Sequence, residues 1–106
     1  MNTQYSFMDY SSQAISTSKY KGLNYPSVAL GGEVGEYLNE YKKWLRTMPG
    51  QAGEVPYGTH RDKMLRELGD VLWYLNQAAH ELDSSLEDVA KMNIAKLDER
   101  YHGKVD

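Results

Sequence analysis

The stretch RDKMLRELGDVLWYLNQAAHEL, residues 61–82, decides the fold. Leu65, Leu68, Leu72, Leu75, Ala79 and Leu82 recur at intervals of three and four, which places them on one stripe of an α-helix. Glu67, Asp70 and Tyr74 follow the same rhythm on a neighbouring face. The run from Pro26 to Thr47 repeats the pattern. Val34, Leu38, Tyr41 and Leu45 form its stripe, and Glu33, Glu36, Glu40 and Lys43 lie on the face beside it. Pro26 suits the first turn of such a helix. Gly31, Gly32 and Gly35 are poor helix formers, at about 1 kcal/mol each relative to Ala. Their presence predicts close approach by another backbone or a ligand.

Two further helices complete the pattern. The first spans roughly Gln4–Tyr20, with Phe7, Met8, Ala14 and Ile15 among many Ser and Thr residues. The last opens at Ser84-Ser85-Leu86-Glu87, read as a capping box. It continues to about Tyr101, with Leu86, Val89, Ala90, Ile94 and Leu97 apolar and Gly103 as terminator. Between the two long helices, Met48–His60 reads as a loop rich in Gly and Pro, long for a helix-to-helix connection. No segment reads as a strand. The expected architecture is all-α, a four-helix bundle in a single domain covering residues 1–106.

Composition narrows the function. The 106 residues are 41% hydrophobic, which fits a folded domain. The absence of cysteine excludes disulfides, thiolate zinc sites and cysteine nucleophiles, and it suits a reducing, cytoplasmic setting. A formal net charge of −3 argues against a nucleic-acid polymer as partner. Met1–Tyr10 has no signal-peptide apolar run, and no stretch is long and apolar enough to span a bilayer, so no membrane association is expected.

Chemistry concentrates in two acidic pairs, Glu33-Val-Gly-Glu36 and Glu67-Leu-Gly-Asp70. A spacing of three puts both carboxylates of a pair on one helix face. The acids lie beside the apolar stripes rather than opposite them, on consecutive long helices expected to pack antiparallel. Four carboxylates gathered there repel one another unless a cation lies between them. Oxygen-only ligands suit Mg²⁺, commonly shared with substrate phosphates. A di-iron bundle would need Glu-x-x-His on two helices, and only Glu99-Arg100-Tyr101-His102 has that form. His60, His80 and His102 give no zinc spacing. Asn93, Lys96 and Arg100 share a face of the last helix and suit phosphate oxygens, with Lys43 and the Tyr74 hydroxyl as further contacts. Trp44 and Trp73 read more readily as core or subunit-interface residues than as stacking platforms for a base.

The runs Ala29-Leu30-Gly31-Gly32-Glu33-Val34-Gly35-Glu36, Glu67-Leu68-Gly69-Asp70-Val71-Leu72-Trp73-Tyr74-Leu75 and Met92-Asn93-Ile94-Ala95-Lys96-Leu97 resemble the MazG-like nucleotide pyrophosphohydrolases of the all-α NTP pyrophosphatase superfamily. The resemblance covers nearly the whole chain, the Tyr-rich first helix included. It implies hydrolysis of a (d)NTP to (d)NMP and pyrophosphate with Mg²⁺, for which Mn²⁺ can substitute, in nucleotide-pool sanitation or control. Carried over by position, Glu33, Glu36, Glu67 and Asp70 are the metal ligands, and Glu36 orients or deprotonates the attacking water. Asn93, Lys96 and Tyr74 contact phosphates or the metal shell, and Arg100 is a further transfer whose register differs from that in many relatives. Gly32 stands where many relatives carry another Glu, and 30 residues separate Glu36 from Glu67. The resemblance also implies a homodimer or homotetramer in which a neighbouring subunit completes the base pocket, with Tyr5, Tyr10, Tyr20 and Tyr25 as candidates for that role. Alternatives are a dUTP-specific or phosphoribosyl-ATP enzyme of the same superfamily, or a non-catalytic helical interaction module.

Overall fold

The computed structural model describes residues 4–47 and 54–103. Four helices occur among them and no strand: α1 (Phe7–Ser16), α2 (Asn24–Thr47), α3 (Gly58–Glu81) and α4 (Leu86–Asp98), the last running into a π-helical turn at Glu99–Gly103. The loop expected over Met48–His60 lies partly outside the described residues, and its last three positions already belong to α3.

Local chemistry sets the helix ends. Ser6 caps α1 reciprocally with Asp9: the Asp9 N–H donates to Ser6 Oγ at 3.1 Å, and the Ser6 N–H donates to Asp9 Oδ2 at 3.0 Å. α1 is shorter than the expected Gln4–Tyr20. At its C-terminal end the Ser16 and Thr17 hydroxyls donate to the Gln13 and Ala14 carbonyls at 2.6 and 2.7 Å, a competition that disfavours further helix. α3 starts three residues before the expected Arg61 because Gly58 takes a left-handed backbone, φ +62°, where a side chain would be strained. It ends where Asp83 adopts φ +58°, with the Ser84 N–H returning to the Ala79 carbonyl at 2.9 Å. Ser85, one residue later than the expected Ser84, caps α4 by accepting from the Asp88 N–H at 3.1 Å.

α2 and α3 form the principal pair and run antiparallel. Tyr25 near the start of α2 meets Tyr74 late in α3, Glu33 meets Asp70 midway, and Trp44 near the end of α2 meets His60 near the start of α3. Trp44 is fully buried, with the rings of Tyr57 and His60 edge-on at 5.1 and 5.4 Å. α1 and α4 pack on α3 and on each other, and α4 does not reach α2. Two hydrogen bonds fasten α1 to α3: Ser11 Oγ to the buried Asn76 Oδ1 at 2.7 Å, and Trp73 Nε1 to Thr17 Oγ1 at 3.0 Å.

The face of α2 turned to α3 is not the apolar stripe. It carries Glu33, Tyr37, Glu40 and Trp44, and the stripe of Val34, Leu38 and Leu45 lies about 100° further round the helix and is exposed. On α3, Ala79 is buried and Leu72 half-buried, but Leu65, Leu68, Leu75 and Leu82 are exposed. Of the two stripes, only Tyr41, Leu72 and Ala79 are even partly buried within the chain. Within the described residues no other part of the chain comes within 4 Å of where a side chain at Gly31, Gly32 or Gly35 would begin, so the approach expected there is not made by this chain's own backbone. The chain is correspondingly open. Its radius of gyration is 17.2 Å, against about 13 Å for a compact domain of this length.

Trp44 is the largest side chain wholly removed from solvent. Its truncation to Ala is expected to destabilise the fold by about 3–5 kcal/mol. Chemical denaturation followed by circular dichroism checks this.

Candidate metal and nucleotide site

The antiparallel meeting of α2 and α3 brings the two acidic pairs together. Glu33, Glu67 and Asp70 each offer a carboxylate oxygen, and the three atoms lie within 4.8 Å of one another. Glu33 and Glu67 are half-buried and Asp70 is exposed. Glu36 is not part of this trio, but it lies close enough for its charge to act on both Glu33 and Glu67.

The electrostatics register the crowding. Partial burial raises the Glu33 carboxyl above its ordinary value, and the charges of Asp70, Glu67 and Glu36 raise it further. Glu67 is raised in the same way by partial burial, then by Asp70, Glu36 and Glu40, with Lys43 opposing. Three convergent carboxylates make an all-oxygen donor set with excess negative charge, which is the chemistry a hard divalent cation requires. The residues present therefore fit a Mg²⁺ or Mn²⁺ ion.

A cavity of about 340 Å³ opens beside these acids, lined by Glu33, Asp70, Trp73 and Tyr74. Tyr74 thus faces the site as its spacing from Asp70 suggests. Lys43 holds Glu40 Oε2 at 3.4 Å, and through its charge it also acts on Glu67. Tyr10 of α1 is within electrostatic reach of Asp70 of the same chain.

The predicted phosphate contacts on α4 stand apart. Asn93, Lys96 and Arg100 are exposed, α4 makes no contact with α2, and neither Lys96 nor Arg100 is among the charges acting on Glu33 or Glu67. The Arg100 guanidinium lies 6.0 Å from the centre of the neighbouring Tyr101 ring. Two contributors carried little signal in the sequence. Glu40 extends the Glu33–Glu36 rhythm by one turn, and its side chain is only 13% exposed. Trp73 lines the cavity, although its ring looks like core in the sequence.

Residues 27–104 match the MazG nucleotide pyrophosphohydrolase domain. The chain belongs to this family. The MazG match includes all four carboxylates and begins after α1, so the first helix falls outside it, contrary to the wider extent expected from the resemblance. A curated relative, the gene 37 protein of Mycobacterium phage L5, is 42% identical over 80 residues, which is 76% of this chain and 67% of the phage protein. No solved structure matches. No helix among the described residues is long and apolar enough to cross a membrane.

Both glutamates are raised, so the folded chain holds their protons more tightly than the unfolded chain does. Without metal they destabilise the fold fully above their raised values, and the penalty disappears below the ordinary glutamate value. The Glu33→Gln and Glu67→Gln variants should therefore melt above the wild type at neutral pH in chelator. The difference should close as pH falls through the carboxylate range, in melting curves recorded across that range.

Proposed function

We propose that this MazG-family protein is a metal-dependent pyrophosphohydrolase that cleaves a (d)NTP between its α- and β-phosphoryl groups, giving (d)NMP and pyrophosphate. The observation that carries this reading is the convergence of Glu33, Glu67 and Asp70 at the contact of α2 with α3, beside an open cavity. Glu33, Glu67 and Asp70, with Glu36 at the margin, would hold Mg²⁺ or Mn²⁺. When bound, that ion neutralises phosphate charge and stabilises the departing pyrophosphate.

The remaining work falls to the side chains. Glu36 is exposed beside the cluster and is free to orient the attacking water and accept its proton. The water oxygen forms the new bond to phosphorus as the bridging phosphoanhydride bond breaks, and the proton passes from Glu36 to solvent. Tyr74 is placed to donate its hydroxyl to a phosphate oxygen. Lys43 counters the negative charge on the α2 side and keeps Glu40 oriented through their 3.4 Å pair.

The working unit in this proposal is a homodimer or homotetramer. The exposed stripes of α2 and α3, the open shape of the chain and the isolation of Asn93, Lys96 and Arg100 from their own carboxylates all support it. A second copy that covers the stripes can bring its α4 cations to the site.

Four outcomes are expected. Glu36→Gln and Asp70→Asn should each abolish turnover of nucleoside triphosphates while retaining helical content, and Mg²⁺ should raise the melting temperature of the wild type by binding the native state. Near-wild-type rates in either variant contradict the assignment. Light scattering should give a mass that is a multiple of 12.1 kDa, and Leu38→Glu, placed on the exposed stripe, should shift it toward one copy.

A further inference from the structure

The cavity beside the carboxylates has a second, aromatic side. Trp73 and Tyr74 line it together with Glu33 and Asp70. From there a row of rings continues through pairwise contacts. Trp73 meets Tyr74 edge-on at 4.9 Å, Tyr74 lies 6.3 Å from Tyr25, and Tyr25 stacks on Tyr20 at 4.2 Å with only 16° between the ring planes. Tyr20 and Tyr25 are both nearly half exposed, so their stacked faces are not consumed by the core. The indole of Trp73 does not rotate freely. Its Nε1 donates to Thr17 Oγ1 at 3.0 Å, and Thr17 is itself fixed by donating to the Ala14 carbonyl at 2.7 Å.

A cavity lined by two carboxylates and two aromatic rings, one of them held by a hydrogen bond, offers both kinds of surface that a nucleotide needs. Bases stack on aromatic rings whatever their hydrogen-bonding edges, because every base presents a π-face. Building on the pyrophosphohydrolase reading, we propose that the chain supplies its own nucleobase platform: Trp73 is the stacking face, the Tyr74–Tyr25–Tyr20 row extends it, and Thr17 is the positioning residue that holds the indole in register. Thr17, which caps the C-terminal end of α1 and lies outside the family match, thereby sets the base end of the site.

The test separates base from phosphate. The full-length protein is titrated in Mg²⁺ with a non-hydrolysable α,β-methylene nucleoside triphosphate and, in parallel, with inorganic tripolyphosphate, following tryptophan fluorescence and heat of binding. Trp44 is fully buried and remote from the cavity, so a change confined to the nucleotide titration reports Trp73. The expected result is quenching by the nucleotide analogue, none by tripolyphosphate, and loss of the quenching in Trp73→Phe. Trp73→Ala should weaken the analogue by roughly 5- to 150-fold, the span of base–aromatic stacking, and leave tripolyphosphate affinity unchanged. Thr17→Val should weaken the analogue several-fold without touching tripolyphosphate, and Thr17→Ser should restore it. If both ligands bind and neither Trp73 variant changes the nucleotide titration, the platform is refuted and the phosphate reading survives. If Trp73→Ala fails to fold, the quenching in wild type against Trp73→Phe decides alone. If neither ligand binds the wild type, the pyrophosphohydrolase reading falls and the platform with it.

Discussion

Repulsion among carboxylates at the contact of α2 with α3 is the constraint around which the rest of the structure is arranged. Glu33, Glu67 and Asp70 converge at the contact of the two longest helices, at a cost that partial burial increases. In the proposed reading, placing this electrostatic conflict at the principal helix contact prepares the fold for a cation. The surrounding features follow from that. Trp44, clamped between Tyr57 and His60, fixes the far end of the pair and so sets the register in which Glu33 faces Asp70. Lys43 on the intervening turn opposes that field, while Glu40, which it pairs at 3.4 Å, adds to it.

Using the polar face of α2 for the intrachain contact has a structural consequence. Val34, Leu38 and Leu45, with Leu65, Leu68 and Leu75 across on α3, are left uncovered, and the chain stays open. In a chain of 106 residues this uncovered surface is a large part of the available apolar area, and leaving it in water is unfavourable. The same openness separates the cations of α4 from the acids. Self-association and completion of the catalytic site thus have one physical origin in this account.

The sequence made some of this legible and hid the rest for identifiable reasons. α2 and α3 can be read because their apolar residues keep helical spacing over about three and about five turns respectively, and the acidic pairs can be read because a spacing of three fixes a shared face whatever the tertiary structure. The rotation of α2 could not be read, because periodicity identifies an apolar stripe without saying whether the same chain or another covers it. The start of α3 at Gly58 depended on a left-handed backbone that a loop rich in glycine does not single out. The shortening of α1 turned on Ser16 and Thr17 bonding back to the helix rather than on its apolar pattern. Trp73 was hidden because a ring beside an apolar stripe looks like core in one dimension, and only Thr17, 56 positions away in the chain, shows it to be held at a cavity wall.

The central claim, that convergent carboxylates hold a cation for cleavage of a nucleotide between its α- and β-phosphoryl groups, is tested most directly by resolving reaction products. Purified protein with Mg²⁺ is incubated with each nucleoside triphosphate and deoxynucleoside triphosphate, dUTP included, and the products are followed by phosphorus NMR. The account predicts equimolar nucleoside monophosphate and pyrophosphate, and no reaction in chelator. Release of a nucleoside diphosphate and inorganic orthophosphate, or turnover that persists without divalent metal, would contradict it.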